Sequence, residues 1–121
     1  MKLLLVEDDP DIQLVACLAL ARGGFIVRAV DSGEAALRVV EADPPGVILL
    51  DWMMPDMEGP EVCRRLKQNP VTGTIPVIFM TARAEQAEIA RGLAVGAAGF
   101  IRKPFDALAL GAQVREMLGA S

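Results

Sequence analysis

Four short apolar runs, each closed by a charged or hydroxyl residue, set most of what this chain can become. They are Leu3–Val6 before Glu7-Asp8-Asp9, Val47–Leu50 before Asp51, Val77–Met80 before Thr81, and Gly99–Arg102 before Lys103-Pro104-Phe105. A run of this length and content reads as a strand of a parallel sheet, buried on both faces. Segments with helical start and stop signals separate the runs. Alternating strand and helix predicts an α/β fold: a doubly wound, five-stranded parallel sheet with helices on both faces. In such a sheet ligands bind in the crevice at the carboxyl ends of the strands. Glu7, Asp8, Asp51, Thr81 and Lys103 are therefore expected to meet there, although they lie far apart in sequence.

The first strand is expected over Lys2–Val6. Asp9 then caps a helix that Pro10 opens, and Gly23-Gly24 end it after about Arg22. Phe25–Val30 reads as the second strand, and Asp31-Ser32-Gly33-Glu34 turns into a helix ending near Ala42, where Pro44-Pro45 block continuation. Val47–Leu50 is the third strand. After a loop from Asp51 to Gly59, Pro60-Glu61 open a helix ending near Gln68. Ile75–Met80 is the fourth strand, with Pro76 at its start, where a missing N–H is tolerated. Glu85–Val95 is the fourth helix, closed by Gly96. Ala98–Arg102 is the fifth strand, and a last helix is expected from Asp106 almost to Ser121. Ile12, Val15 and Leu18, and likewise Ile89 and Leu93, recur at helical spacing and are expected to face the core.

At 121 residues, with no repeat or linker, the chain reads as one domain spanning residues 1–121. Apolar residues make up 53%, which excludes a disordered chain. The longest uncharged stretch, Gln68–Ala82, is broken by Pro70, Gly73 and Pro76 and falls short of the roughly 18 residues a membrane span needs. No membrane association is expected. The net charge of −4, from 16 acidic and 12 basic residues, gives no nucleic-acid footprint. Cys17 and Cys63 read as small buried hydrophobes in a reducing cytoplasm. The chain has no histidine, so no Ser-His or Cys-His pair and no histidine metal site can form.

The acidic residues could simply cap helices or sit in solvated loops. Asp9 fits that reading. Glu7 and Asp8 fit it poorly, because they precede the cap and end a strand, and no helix directly follows Asp51. Bringing two such carboxylates to ~4 Å costs on the order of 4 kcal/mol at an effective dielectric of 20. A divalent cation removes that cost, and all-oxygen ligation points to Mg²⁺ or Mn²⁺ rather than zinc. Asp51, at the end of the central strand, is placed to attack phosphorus and form an acyl phosphate. Thr81 would add a hydroxyl donor and Lys103 a positive charge. Pro104 fixes the backbone after Lys103, and a cis bond there would aim the ammonium inward.

The segments LLLVEDDP, VILLDWMMPDMEG, IPVIFMTAR and GAAGFIRKPF, taken in order, resemble the response-regulator receiver domains of two-component systems over essentially the whole length. The resemblance implies a flavodoxin-like strand order of 2-1-3-4-5 and a phosphorelay role. Asp51 would be the phosphoacceptor. Glu7 and Asp8 would form the acidic pair around Mg²⁺, with the Met53 carbonyl a further ligand. Thr81 would be the switch hydroxyl, Ala82 its small neighbour, Lys103 the partner of a phosphoryl oxygen and Phe100 the aromatic switch.

A histidine kinase or histidine phosphotransfer protein would donate the phosphoryl group. The output would be a changed fourth-helix, fifth-strand and fifth-helix face, read in the cytoplasm by a protein target or output domain. The chain would be no enzyme beyond self-phosphotransfer and autodephosphorylation. Two departures stand out. Phe100 lacks a hydroxyl, and Ala97-Ala98-Gly99 lacks the acids that many DNA-binding relatives use for dimer salt bridges. No output domain follows the fifth helix, so the sequence reads as a stand-alone receiver or as a piece of a larger regulator. An aspartyl-phosphate phosphatase would need an acid where Met53 stands. A flavodoxin-like nucleotide carrier would need a phosphate loop where Glu7-Asp8-Asp9 repel one.

Overall fold

The computed structural model describes residues 1–83 and 85–119. Five strands alternate with five helices: β1 (Lys2–Val6), α1 (Pro10–Arg22), β2 (Ile26–Val30), α2 (Gly33–Ala42), β3 (Val47–Asp51), α3 (Gly59–Gln68), β4 (Val77–Thr81), α4 (Gln86–Ala94), β5 (Gly99–Arg102) and α5 (Leu110–Gly119). The strands form one parallel sheet in the order β2-β1-β3-β4-β5. Every residue of β3 and β4 is buried, as expected of interior strands covered on both faces.

The side chains of the sheet divide between two cores. Leu4, Val6, Ile48, Leu50, Val77 and Phe79 pack with Ala36 and Val40 of α2 and Val62, Cys63 and Leu66 of α3. The alternate positions Leu3, Leu5, Val47, Leu49, Ile78 and Met80 pack with Ala16 and Leu20 of α1 and Leu110 and Val114 of α5. The period-2 alternation along each strand is what allocates its side chains to the two layers.

Helix starts follow local chemistry. Asp9 caps α1 by accepting hydrogen bonds from the Asp11 and Ile12 amides at 2.9 and 3.1 Å. Ser32 does the same for α2 through the Ala35 amide. Gly24 and Gly96 lie just past α1 and α4 with φ of +92° and +100°, the conformation in which glycine ends a helix at little cost.

Several expectations are corrected. The last helix begins at Leu110, not Asp106. The Asp106 side chain accepts from the Leu108 amide and its carbonyl from the Ala109 amide, so the chain makes a local turn before the helix can start. The expected end of that helix, at Ala120-Ser121, lies outside the described residues. The fourth strand starts at Val77, two residues later than expected, and Pro76 precedes it.

Val15 and Leu18 face outward, and Ala16 and Leu20 are the buried residues of α1. This helix is apolar almost all round, so its periodicity leaves the inward face undetermined. In α4 the buried residue is Gly92, while Leu93 is exposed and Ile89 half-buried. Cys63 is buried as expected, but Cys17 is only partly so.

Candidate functional site

Glu7, Asp51, Thr81 and Lys103 come together at the carboxyl edge of the sheet. Glu7 directly follows β1, and its amide continues the ladder to the Val30 carbonyl at 3.1 Å. Its carboxylate is 1% exposed. One oxygen accepts from the Asp9 amide at 3.1 Å, and the other lies 2.6 Å from Lys103 Nζ. The same ammonium reaches Asp51 Oδ1 at 3.0 Å. The Lys103 amide bonds to the Thr81 carbonyl at 2.8 Å, and the Lys103–Pro104 peptide is cis.

Asp51 ends β3 and is buried. Burial pushes its carboxyl up to about 6; the Lys103 hydrogen bond opposes this, and the Glu7 charge adds to it. The carboxylate is thus ionised at neutral pH but not indifferent to its charge. Burial pulls the Lys103 ammonium down, yet its hydrogen bonds to Glu7 and Asp51 outweigh that and hold its pKa above the usual lysine value.

Glu7, Asp8 and Asp51 each offer a carboxylate oxygen, and the three atoms lie within 4.8 Å of one another. Among the described residues Lys103 is the cation paired with this group of carboxylates, one ammonium against three acids. Beyond its ion pair with Lys103, Glu7 Oε1 makes no hydrogen bond among the described residues. An oxygen-only, charge-deficient set of this kind fits a hard divalent cation such as Mg²⁺ or Mn²⁺. Asp8 is exposed, on the solvent side of the cluster.

Asp51 opens into a cavity of ≈ 500 Å³ shared with Trp52, Met53, Thr81, Ala82, Arg83, Glu88 and Lys103. Met53 and Ala82 are both exposed there. The Thr81 hydroxyl accepts from the Arg83 amide at 3.1 Å and has two acceptors for its own proton, the Arg83 carbonyl at 2.8 Å and Glu88 Oε1 at 3.2 Å. Glu88 is absent from the sequence-based set of site residues. Its signal is faint, a glutamate in the first turn of the helix after Thr81, where an N-terminal acid is unremarkable.

Phe100 is not among the residues that line this cavity. Its ring stacks on Phe79 with centroids 5.8 Å apart and lies 6.4 Å from Trp52, whose indole meets Phe79 edge-on at 5.0 Å. A Cβ at Gly92 would fall 2.4 Å from Phe100 Cζ, so the missing side chain in α4 is what admits the ring.

Two further contacts fasten the segment after Asp51. Asp56 accepts from the amides of Gly33 and Glu34, both at 2.9 Å, at the start of α2. These backbone bonds hold the Asp56 carboxyl below the usual aspartate range. Glu58, next to α3, pairs with Arg91 of α4 at 2.7 Å.

A parallel 2-1-3-4-5 sheet with two acids after β1, a buried carboxylate ending β3, a hydroxyl ending β4 and a lysine after β5 defines a flavodoxin-like α/β protein with its site at the strand ends. A family model described as the response regulator receiver domain matches residues 3–115, and the chain belongs to that family of signalling domains. It is 39% identical over 117 residues to the phosphate regulon transcriptional regulatory protein PhoB of Rhizobium meliloti (strain 1021), covering 97% of this chain and 52% of that protein. It is 41% identical over 115 residues to the transcriptional regulatory protein CseB of Streptomyces coelicolor, covering 95% of this chain and 48% of the relative. The chain thus spans about half the length of the curated relatives it matches. Among solved structures, the chemotaxis response regulator CheY4 of Vibrio cholerae superposes with a TM-score of 0.91 at 27% identity, over 97% of this chain and 98% of that one. A response regulator structure from Chloroflexus aurantiacus gives 0.90 at 32% identity, over 97% and 96%.

Proposed function

We propose that this receiver domain takes a phosphoryl group onto Asp51 from a histidine kinase or histidine phosphotransfer protein. The observation that carries the reading is the position of Asp51. It is a buried carboxylate at the end of the central strand, paired with Lys103 at 3.0 Å and open to a cavity that also holds the Thr81 hydroxyl. These 121 residues contain no histidine, so a phosphohistidine donor lies outside them.

An Asp51 oxygen attacks phosphorus as the bond to the donor breaks, and the donor leaves with that electron pair. Lys103 stays within reach of Asp51 to pair with a phosphoryl oxygen. Thr81 turns its hydroxyl to donate to another, and Ala82 leaves room beside it. Glu7, Asp8, Asp51 and the Met53 carbonyl would hold Mg²⁺. When bound, the ion supplies positive charge that offsets the charge of the transferring group.

The output in this reading is the face formed by α4, β5 and α5, with Phe100 as its aromatic switch. A protein target or an attached output domain in the cytoplasm reads that face. The net charge of −4 argues against direct nucleic-acid binding by this segment. No helix among the described residues is long and apolar enough to cross a membrane.

Incubation with acetyl phosphate and Mg²⁺, followed by intact mass, tests the reading. Wild type is expected to gain one phosphoryl group and Asp51→Asn none. Equal gain by both would remove Asp51 from the role.

A further inference from the structure

The geometry points to Glu88 as a latch on the Thr81 hydroxyl, one that phosphoryl uptake at Asp51 must displace. The inference rests on the reading of Asp51 as acceptor and concerns a residue that the acidic cluster does not include.

A hydroxyl carries one proton and can donate to one acceptor at a time. Thr81 Oγ1 has two acceptors beside it: the Arg83 carbonyl at 2.8 Å and Glu88 Oε1 at 3.2 Å. Its accepting side is occupied by the Arg83 amide at 3.1 Å. Thr81 itself is 3% exposed, so little of the residue faces bulk solvent. In this state the hydroxyl proton is committed to Arg83 and Glu88.

The ordinary work of a glutamate at the third position of a helix is to reach back to the N-cap amide. Glu88 holds that position after the N-cap residue Glu85, but the hydrogen bond its side chain makes among the described residues is with Thr81. Its carboxylate lines the same cavity as Asp51 and Lys103. A phosphoryl group on Asp51 would therefore compete with Glu88 twice. It would claim the Thr81 proton, and its negative charge would repel a carboxylate across a shared cavity. Released from Thr81, Glu88 leaves the first turn of α4 without its contact to β4. Gly92, one turn further along the same helix, is the residue against which the Phe100 ring packs.

In the transfer from acetyl phosphate, the new bond joins an Asp51 oxygen to phosphorus, and acetate leaves with the electrons of the broken P–O bond. Glu88 takes no part in that exchange; it is a positioning residue acting through Thr81.

The test is a double-mutant cycle on the rate of acetyl phosphate uptake in Mg²⁺, read by intact mass. Glu88→Gln and Glu88→Ala are each expected to speed uptake by about threefold or more, within the range of couplings between contacting residues. In a Thr81→Ala background the same substitutions are expected to have less than half that effect. In Thr81→Ser, which keeps a hydroxyl, the effect is expected to persist. A merely structural Glu88 would not make its effect depend on the hydroxyl. An undiminished effect in Thr81→Ala would show that Glu88 acts only through its charge on the incoming donor, and the latch would be overturned. So would a wild-type rate in both Glu88 variants. Failure of wild type itself to take up phosphate would remove the Asp51 reading and the latch together, whereas normal uptake with no Glu88 effect removes the latch alone.

Discussion

The Lys103 ammonium lies 3.0 Å from Asp51 Oδ1 while its other short contact, at 2.6 Å, goes to the buried Glu7 carboxylate. One cation therefore serves two buried anions, and Asp51 keeps its proton up to about 6 where 3.8 is its ordinary value. Between those two pH values the native chain binds more protons at this residue than the unfolded chain does. Stability from Asp51 therefore falls as pH rises through that window. In metal-free buffer at pH 7.5, Asp51→Asn is expected to melt above wild type. The gain has a ceiling of about 3 kcal/mol, because a tenfold change in proton affinity corresponds to about 1.4 kcal/mol. The difference should close below pH 4. Thermal melts of both proteins between pH 3.5 and 8 with a chelator present check this, and an Asp51→Asn variant less stable than wild type at pH 7.5 would contradict it.

Millimolar Mg²⁺ is expected to raise the melting temperature of wild type and to change the emission of Trp52, which follows Asp51 directly and is 6% exposed. Asp8→Ala should abolish both responses. It should not lower stability in metal-free buffer, because it removes one of the mutually repelling carboxylates from the cluster. Titration of Mg²⁺ into both proteins, followed by fluorescence and by melting, separates metal ligation from simple packing.

Gly92→Ala places a methyl group 2.4 Å from Phe100 Cζ, well inside van der Waals contact. The ring must leave its stack on Phe79. Overpacking of this kind costs about 1–3 kcal/mol, against roughly 1 kcal/mol of helix propensity gained by replacing glycine. A net loss of about 1 kcal/mol in urea unfolding is expected, together with a shifted Trp52 spectrum. Phe100→Leu in the same chain should restore most of the lost stability. An unchanged spectrum at wild-type stability would show that α4 does not confine the ring.

Met53 and Arg83 line the cavity at positions two residues past Asp51 and two past Thr81. Met53 is apolar, exposed and unable to orient water. If Asp51 takes a phosphoryl group as proposed, the Met53 bulk and the Arg83 cation are expected to lengthen the life of the acyl phosphate. Met53→Asn is expected to speed dephosphorylation ~10-fold, corresponding to about 1.4 kcal/mol of barrier. The decay of phosphorylated protein, followed by mass after removal of the donor, measures it; decay as slow as wild type would free Met53 of any gating role.

The sheet and its site were legible because interior strands leave an unambiguous mark. A run such as Val47–Leu50, buried on both faces, cannot be polar anywhere, and the residue that ends it cannot be anywhere but the sheet edge. Glu7, Asp51, Thr81 and Lys103 could be assembled on that logic alone. Helix faces were less legible. In α1 the residues Val15 and Leu18 are as apolar as Leu20, so spacing could not tell which stripe turns inward. In α4 the inward position is Gly92, which carries no hydrophobic signal. Glu88 was missed because its contact with Thr81 depends on which hydroxyl a helix turn happens to face. Asp106 misled because an aspartate before an apolar stretch reads as a cap, whereas here it folds a turn and delays the helix.

The stretch between Asp51 and α3 is anchored in two directions, by Asp56 on the opening amides of α2 and by Glu58 on Arg91 of α4. It works as a yoke. Because its two attachments are on different helices, a shift of the yoke would bear on both of them. Lengthening or loosening it would uncouple the two helices from each other as well as from the carboxylate beside it. An insertion of a single residue here should therefore leave the strands paired and yet make the protein deaf to its own chemistry.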